Sequence, residues 1–252
     1  MGMMVNMKPV SHDELINEVL HHIQTDPHKR GAGLSDFILG AQDGLVNVLG
    51  VVLGIAAATN DARIVLVAGL ATTFAESISM GAVAFTTTLA DADLYQSERE
   101  REYRHIKTTP YLEQKEVRDI YAGKGFQGEL LERIVESITA NQDVWVAVMM
   151  AEEHKLAPVD RRTAFRAALV VGISAILGSL IPLLPFMFLS VAVSMWSAVL
   201  ITALALFAIG AYKARVTVGK PVRSGFEMAV IGTVSALAGY LVGWLLKVPP
   251  TP

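Results

Sequence analysis

The chain contains no cysteine, which excludes disulfides and thiolate metal sites and leaves oxygen, imidazole and thioether as the only side-chain metal donors. Charge is also scarce. Only 18% of the 252 residues are charged while 52% are hydrophobic, and a mean hydropathy of +0.44 is too apolar for an ordinary soluble domain. Residues 163–252 hold a single acid, Glu227, whereas 91–162 hold 15 of the 24. A net charge of −3 supplies no basic field, so nucleic acid is excluded as a partner. Residues 1–35 lack the apolar run of a cleavable signal peptide, so the first spanning helix is expected to direct insertion.

Long apolar runs are present. Five of them, at 36–58, 64–90, 165–185, 187–212 and 226–246, reach the roughly 20 residues that cross about 30 Å of hydrocarbon. Pro182 and Pro185 predict a tight turn between the third and fourth. The expected fold is all-α: a polytopic membrane protein with five transmembrane helices and a cytoplasmic helical metal-binding domain. Its divisions are an amphipathic cytoplasmic N-terminal helix (1–35), transmembrane helices 1–2 (36–90), the cytoplasmic domain (91–162) and transmembrane helices 3–5 (163–252). The loop after the fourth span carries Lys213, Arg215, Lys220 and Arg223 with no acid, and the loops TNDAR and SLIPLLPF carry little charge. The positive-inside rule then places the N-terminus and residues 91–162 in the cytoplasm and the C-terminus outside.

At the N-terminus, Ser11 and Glu14 form a capping box ahead of Leu15, Ile16, Val19, Leu20 and Ile23 at helical spacing. His21 and His22 read as solvated-face residues. In 91–162, carboxylates recur at one-turn spacing: Glu98 with Glu102, Glu113 with Glu116, and Glu129 with Glu132 and Glu136, followed by Glu152 and Glu153. Residues three or four apart share a helix face, so such pairs either aim two oxygens at one object or form solvated ion pairs. Met149 and Met150 beside Glu152, Glu153 and His154 combine soft sulfur with hard oxygen, a donor mix suited to borderline transition metals.

Inside the spans an acid is a functional hypothesis by default, because a charge near the bilayer centre costs several kcal/mol. The first span offers Asp36, Asp43 and Asn47, and the second offers Thr72, Glu76 and Met80 at successive turns. If those faces meet, they form a narrow polar track. The bland reading is neutral acids hydrogen-bonded between helices. Gly40/Gly44, Gly50/Gly54 and Gly239/Gly243 permit close helix approach, within one chain or against a second copy.

The stretches ILGAQDGLVNVLGVVLG, ESISMGA, DVWVAVMMAEE and SLIPLLPF resemble the vacuolar iron transporter family, from about residue 34 to 247. The resemblance implies a homodimeric five-helix carrier that exchanges ferrous iron, and often manganese, for protons. It implies that Asp43 and Met80 are transport-path residues, with Asp36 near the cytoplasmic mouth. It further implies that Glu102, Glu113, Glu116, Met149, Met150 and Glu153 collect metal before it enters the membrane. The chain departs from the family at His105, where many relatives have glutamate. It departs again at Val83, Ala84 and Phe85, where many carry a glycine–glutamate–aromatic run; Glu76 is the acid available to substitute.

The expected function is proton-coupled export of ferrous iron or manganese from the cytoplasm by a non-enzyme without a prosthetic group. Its partners are divalent metal ions, protons, the lipid bilayer and a second copy of the chain. The expected ligand set in the polar domain is Glu98, Glu102, His105, Glu113, Glu116, Met149, Met150, Glu152 and Glu153. The short N-terminus favours a prokaryotic cell membrane over a vacuole. A membrane-anchored metal buffer or ferroxidase-like di-iron protein is the alternative; within 91–162, Glu102 with His105 is the one Glu-x-x-His pair it could use.

Overall fold

A computed structural model describes residues 32–217 and 219–246; the expected amphipathic helix with His21 and His22 lies outside them. Among the described residues all regular structure is helical: α1 (Ala32–Thr59), α2 (Ala62–Thr108), α3 (Pro110–Gly123), α4 (Gly128–Thr139), α5 (Gln142–Glu152), α6 (Thr163–Phe188), α7 (Val191–Val216) and α8 (Pro221–Leu245). Five of these, α1, α2, α6, α7 and α8, are long and apolar enough to cross a membrane.

The chain turns between α1 and α2 on two residues. Asn60 takes φ 51°, a conformation asparagine tolerates better than most residues, and the Asp61 carboxylate caps α2 by accepting from the Arg63 and Ile64 amides. α2 then continues for 47 residues, about 70 Å at 1.5 Å per residue, so its last turns project beyond the apolar bundle. The prolines behave differently from expectation. Pro182 and Pro185 lie inside α6, and the reversal falls at Leu189 and Ser190. In a membrane bundle the backbone carbonyls that a proline leaves free can be met by neighbouring helices. At the reversal itself, Ser194 Oγ donates to the Pro185 and Leu189 carbonyls at the C-terminal end of α6.

Small residues set the bundle's order. A Cβ on Gly40 or Gly44 would overlap the α6 backbone at Val171 and Ala175, and one on Gly243 would overlap Gly54. The glycine pairs therefore pack α1 against α6 and α8 within one chain. α1 is the central span, with Leu45, Val48, Leu49 and Val52 fully buried. On α2 the buried residues Val65, Gly69, Thr73, Ser77 and Gly81 recur every fourth position and lie against α6. Paired positions (Gly40 with Val171, Gly54 with Gly239, Gly81 with Ala168, Gly210 with Ser224) make α1, α6 and α8 parallel, with α2 and α7 antiparallel to them. Outward positions stay apolar, among them Phe74, Ile78, Leu177, Leu184, Trp196 and Leu241. That is the pattern of a bundle solvated by lipid.

The projecting end of α2 joins α3, α4 and α5 in a small polar domain with its own core of Ile106, Val117, Val135, Trp145, Val146, Met149 and Met150. Pro110 starts α3, where a missing N–H costs nothing. Gly125 at φ 98° follows its end, and Asn141 caps α5 through the Asp143 and Val144 amides. Arg161 pairs with Asp93 at 2.6 Å and ties the returning chain to α2.

Candidate functional site

Two clusters of metal-ligating side chains are built on this frame. The first lies within the bundle. The stripe that seats α2 on α6 turns the next row, Thr72, Glu76 and Met80, toward the side where α1 passes. Asn47 Nδ2 on α1 donates to Glu76 Oε1, and the Glu76 carboxyl also lies within hydrogen-bonding reach of Asp43. The second Glu76 oxygen is buried without a partner. Two carboxyl groups and a carboxamide thus converge from neighbouring spans, a set of hard donors with one oxygen unsatisfied. Asp43 and Gln42 also line a cleft of about 190 Å³ against Ile231, Gly232 and Ser235 of α8. The Thr72 hydroxyl is bonded to its own helix at Ala68 O. Met80 is half-buried one turn beyond Glu76, and Asp36 sits two turns before Asp43, within the field of Arg166.

The second cluster is in the polar domain and centres on Glu102, which is 2% exposed. His154 Nε2 lies 3.0 Å from Glu102 Oε1. His105 Nδ1 stands 3.8 Å from the same oxygen and 3.4 Å from Glu113 Oε1. The donor atoms of Glu102, His105 and Glu113 lie within 4.8 Å of one another, as do those of Glu102, Glu153 and His154. Glu102 is common to both groups. One oxygen each of Glu102 and Glu113 is buried with no hydrogen-bond partner, a costly arrangement that a bound cation would relieve.

Electrostatics follow from crowding acids in a half-dry site. Burial, reinforced by the charges of Glu102, Glu116 and Glu153, pushes the Glu113 carboxyl up to about 8. Burial also raises Glu153, helped by Glu116 and Glu102. For His154 burial acts downward, but the Glu102 hydrogen bond and the charges of Glu153, Glu102 and Glu98 outweigh it and leave the imidazole above its ordinary value. Such a site holds protons near neutrality, and any cation bound there would have to displace them.

Other expected ligands are placed differently. Glu152 is held by Lys124 Nζ, because adjacent residues on a helix diverge by about 100° and only Glu153 turns to the cluster. Glu98 pairs with Arg101 at 2.8 Å and reaches the site through its field on His154. Glu116 is half-buried and acts on Glu113 and Glu153 by charge. The Met149 and Met150 side chains are sealed in the domain core, while the Met149 carbonyl accepts from the Glu153 and His154 amides and fixes where those two side chains begin. His154 is the ligand candidate that the expected set lacks. Its signal was the Glu-Glu-His run at the end of α5.

Fold and clusters together define a helical protein with five spans apolar enough to cross a membrane and with carboxylate-rich clusters both among those spans and in an attached polar domain. A family model described as the VIT family matches residues 34–244. The chain is 34% identical over 236 residues to vacuolar iron transporter 2 of Oryza sativa subsp. japonica, covering 93% of this chain and 96% of that protein. It is 34% identical over 229 residues to vacuolar iron transporter 1 of Arabidopsis thaliana, covering 90% and 91%. The vacuolar iron transporter of Plasmodium falciparum (isolate 3D7) is 27% identical over 224 residues, with 85% and 82% covered. The chain belongs to the VIT family.

Proposed function

We propose that this protein carries ferrous iron, with manganese as a second cargo, out of the cytoplasm across a membrane in exchange for protons. The observation that carries the reading is the meeting of Asp43, Asn47 and Glu76 from α1 and α2 within the apolar bundle. Intramembrane acids are expensive and mark ion pathways, and the relatives named as vacuolar iron transporters supply the cargo.

The polar domain captures the ion first. Glu102, His105, Glu113, Glu153 and His154 supply the donors, and Glu113, Glu153 and His154 give up protons as metal arrives, which concentrates the cation beside the bundle. Asp43 and Glu76 then accept it in the membrane, with Met80 the soft donor a turn away. Protonation of the carboxylates from the far side displaces the ion and resets the carrier. Lys213, Arg215, Lys220 and Arg223 belong to the same end of the bundle as the polar domain, since α2 and α7 run in one direction. By the positive-inside rule that end is cytoplasmic. Asn47 is exposed on the single chain, and a carboxamide beside two acids is poorly suited to lipid. A second copy covering this face makes the working unit a homodimer.

Proteoliposomes with a pH-sensitive dye inside test the reading. Wild type should give ferrous- or manganese-driven proton flux and Asp43→Ala should reduce it to the protein-free leak. Equal flux in both would refute the track. A second reading, ferroxidase chemistry in the polar domain, is favoured by Glu102 serving two overlapping donor groups. Dioxygen-dependent ferric formation by detergent-solubilised protein, lost in Glu102→Gln while Asp43→Ala retains it, would select that reading.

A further inference from the structure

Between the C-terminal end of α7 and the N-terminal end of α8 lies a cleft of about 390 Å³ lined by Lys213, Thr217, Lys220, Arg223, Ser224 and Glu227. Glu227 is committed to Arg223, at 2.8 Å. Lys213 and Lys220 have no acidic partner among the described residues, so the lining carries an excess of two positive charges. Two hydroxyl-bearing residues complete it. The cleft stands where apolar side chains give way to polar ones: α7 passes from Phe207 through Tyr212 to Lys213, and α8 passes from Arg223 to Phe226. In a bundle crossing a bilayer this is headgroup depth.

A basic loop satisfies the positive-inside rule without any concavity, and lysines on a convex turn would serve insertion equally well. Here the cations face a common space large enough for a phosphate ester, and small residues draw its two sides together: Gly219 packs on the Ala214 side chain, where an added Cβ would lie at 3.2 Å, and deeper in the bundle one on Gly210 would press on Ser224 O at 2.6 Å. The packing of small residues thus holds α7 and α8 close enough for cations on both helices to reach one anion.

We infer that this cleft binds the phosphate headgroup of an anionic phospholipid from the adjoining leaflet, with Lys213 and Lys220 as its principal contacts. The site is separate from both metal clusters. It rests on the bundle lying in a membrane and does not depend on the identity of the cargo. A lipid lodged there bridges α7 to α8 and fixes the turn.

The test uses the full chain in neutral detergent, titrated with phosphatidic acid or phosphatidylcholine and read by native mass spectrometry. Each Lys near an anionic headgroup contributes about fivefold in affinity. Lys213→Gln with Lys220→Gln should therefore weaken phosphatidic acid binding about twenty-fivefold and leave phosphatidylcholine unchanged. Arg63→Gln, a charge loss at the opposite end, should change neither. Ser224→Leu, which fills the cleft at constant charge, should also release the lipid and guards against misfolding of the double variant. Equal phosphatidic acid affinity in wild type and the double variant overturns the proposal. So does complete displacement of the lipid by millimolar inorganic phosphate, which would mark a site for the free anion.

Discussion

The polar cluster makes a quantitative demand on pH. Glu113 is held near a pKa of about 8, chiefly by burial and then by the charges of Glu102, Glu116 and Glu153, against an ordinary glutamate value of about 4.3. A metal must displace that proton, so apparent affinity scales with the deprotonated fraction of Glu113. At pH 6 that fraction is about one in a hundred and at pH 8 about one half, so the apparent dissociation constant should fall about fiftyfold between them. The raised values of Glu153 and His154 steepen the dependence further. Cobalt(II), an air-stable stand-in for ferrous iron, titrated calorimetrically into detergent-solubilised protein in buffers of different ionisation enthalpy, measures both affinity and protons released. Glu113→Gln, which mimics the protonated carboxyl, should bind more weakly at pH 8, release one proton fewer and lose about one logarithmic unit per pH unit of slope. The apo domain gives the converse sign. A raised carboxyl is most compatible with folding when protonated, so wild-type stability should fall as pH rises from about 4.5 to about 8, while Glu113→Gln should fall less steeply, keeping only the part that Glu153 and His154 contribute. A pH-independent affinity in wild type, or an unchanged slope in Glu113→Gln, would refute the assignment of Glu113 as a protonated ligand.

Other outcomes follow from the bundle and the linker. Gly243→Ala drives a methyl group into Gly54 and should destabilise the α1–α8 contact by about 1–3 kcal/mol, read as a lower melting temperature in detergent. Asn47→Ala removes the donor from Glu76, whose other oxygen is already orphaned; a loss of about 1–2 kcal/mol with slower metal-driven proton flux is expected. Arg161→Ala breaks an ion pair whose side chains are 64% and 61% exposed and should change stability by less than about 1 kcal/mol. Glu102→Gln should raise the metal concentration that half-saturates transport and leave the maximal rate nearly intact.

Much of the bundle is legible in the sequence because a membrane reduces helix prediction to length and hydropathy: five apolar helices emerge where five were expected, four of them within about five residues of the expected bounds, while the second runs on to Thr108, well past the expected 90. Pro182 and Pro185 mislead for a physical reason. A proline breaks a helix in water, where a turn is readily solvated, but a tightly packed bundle can satisfy the freed carbonyls. The every-fourth run from Val65 to Gly81 was readable as a packing face, and it would have located Glu76 one row to its side. Which of two adjacent acids turns inward was not readable. Glu152 and Glu153 differ by one position in sequence, and only the contact between Lys124 and Glu152 across the domain separates them. His154 escapes for the same reason, since its partner Glu102 lies 52 residues away.

The expectation for Glu102→Gln comes from the geometry of α2. That helix carries Glu76 and Met80 in the bundle and Glu102 and His105 in the polar domain without a break. Twenty-six residues separate Glu76 from Glu102, about 39 Å along the axis. No side chain spans such a gap, so an ion leaving Glu102 must travel through water or along other ligands before Asp43 and Glu76 can hold it. A cluster at that distance cannot take part in the membrane step directly; on the proposed reading its contribution would be to raise the ion's concentration nearby. Concentration supplied from outside would replace that effect, whereas it would not replace Asp43 if that carboxylate holds the crossing ion. Loss of the polar cluster should therefore be rescued by excess metal and loss of Asp43 should not, a contrast that separates the collecting site from the crossing site within one protein.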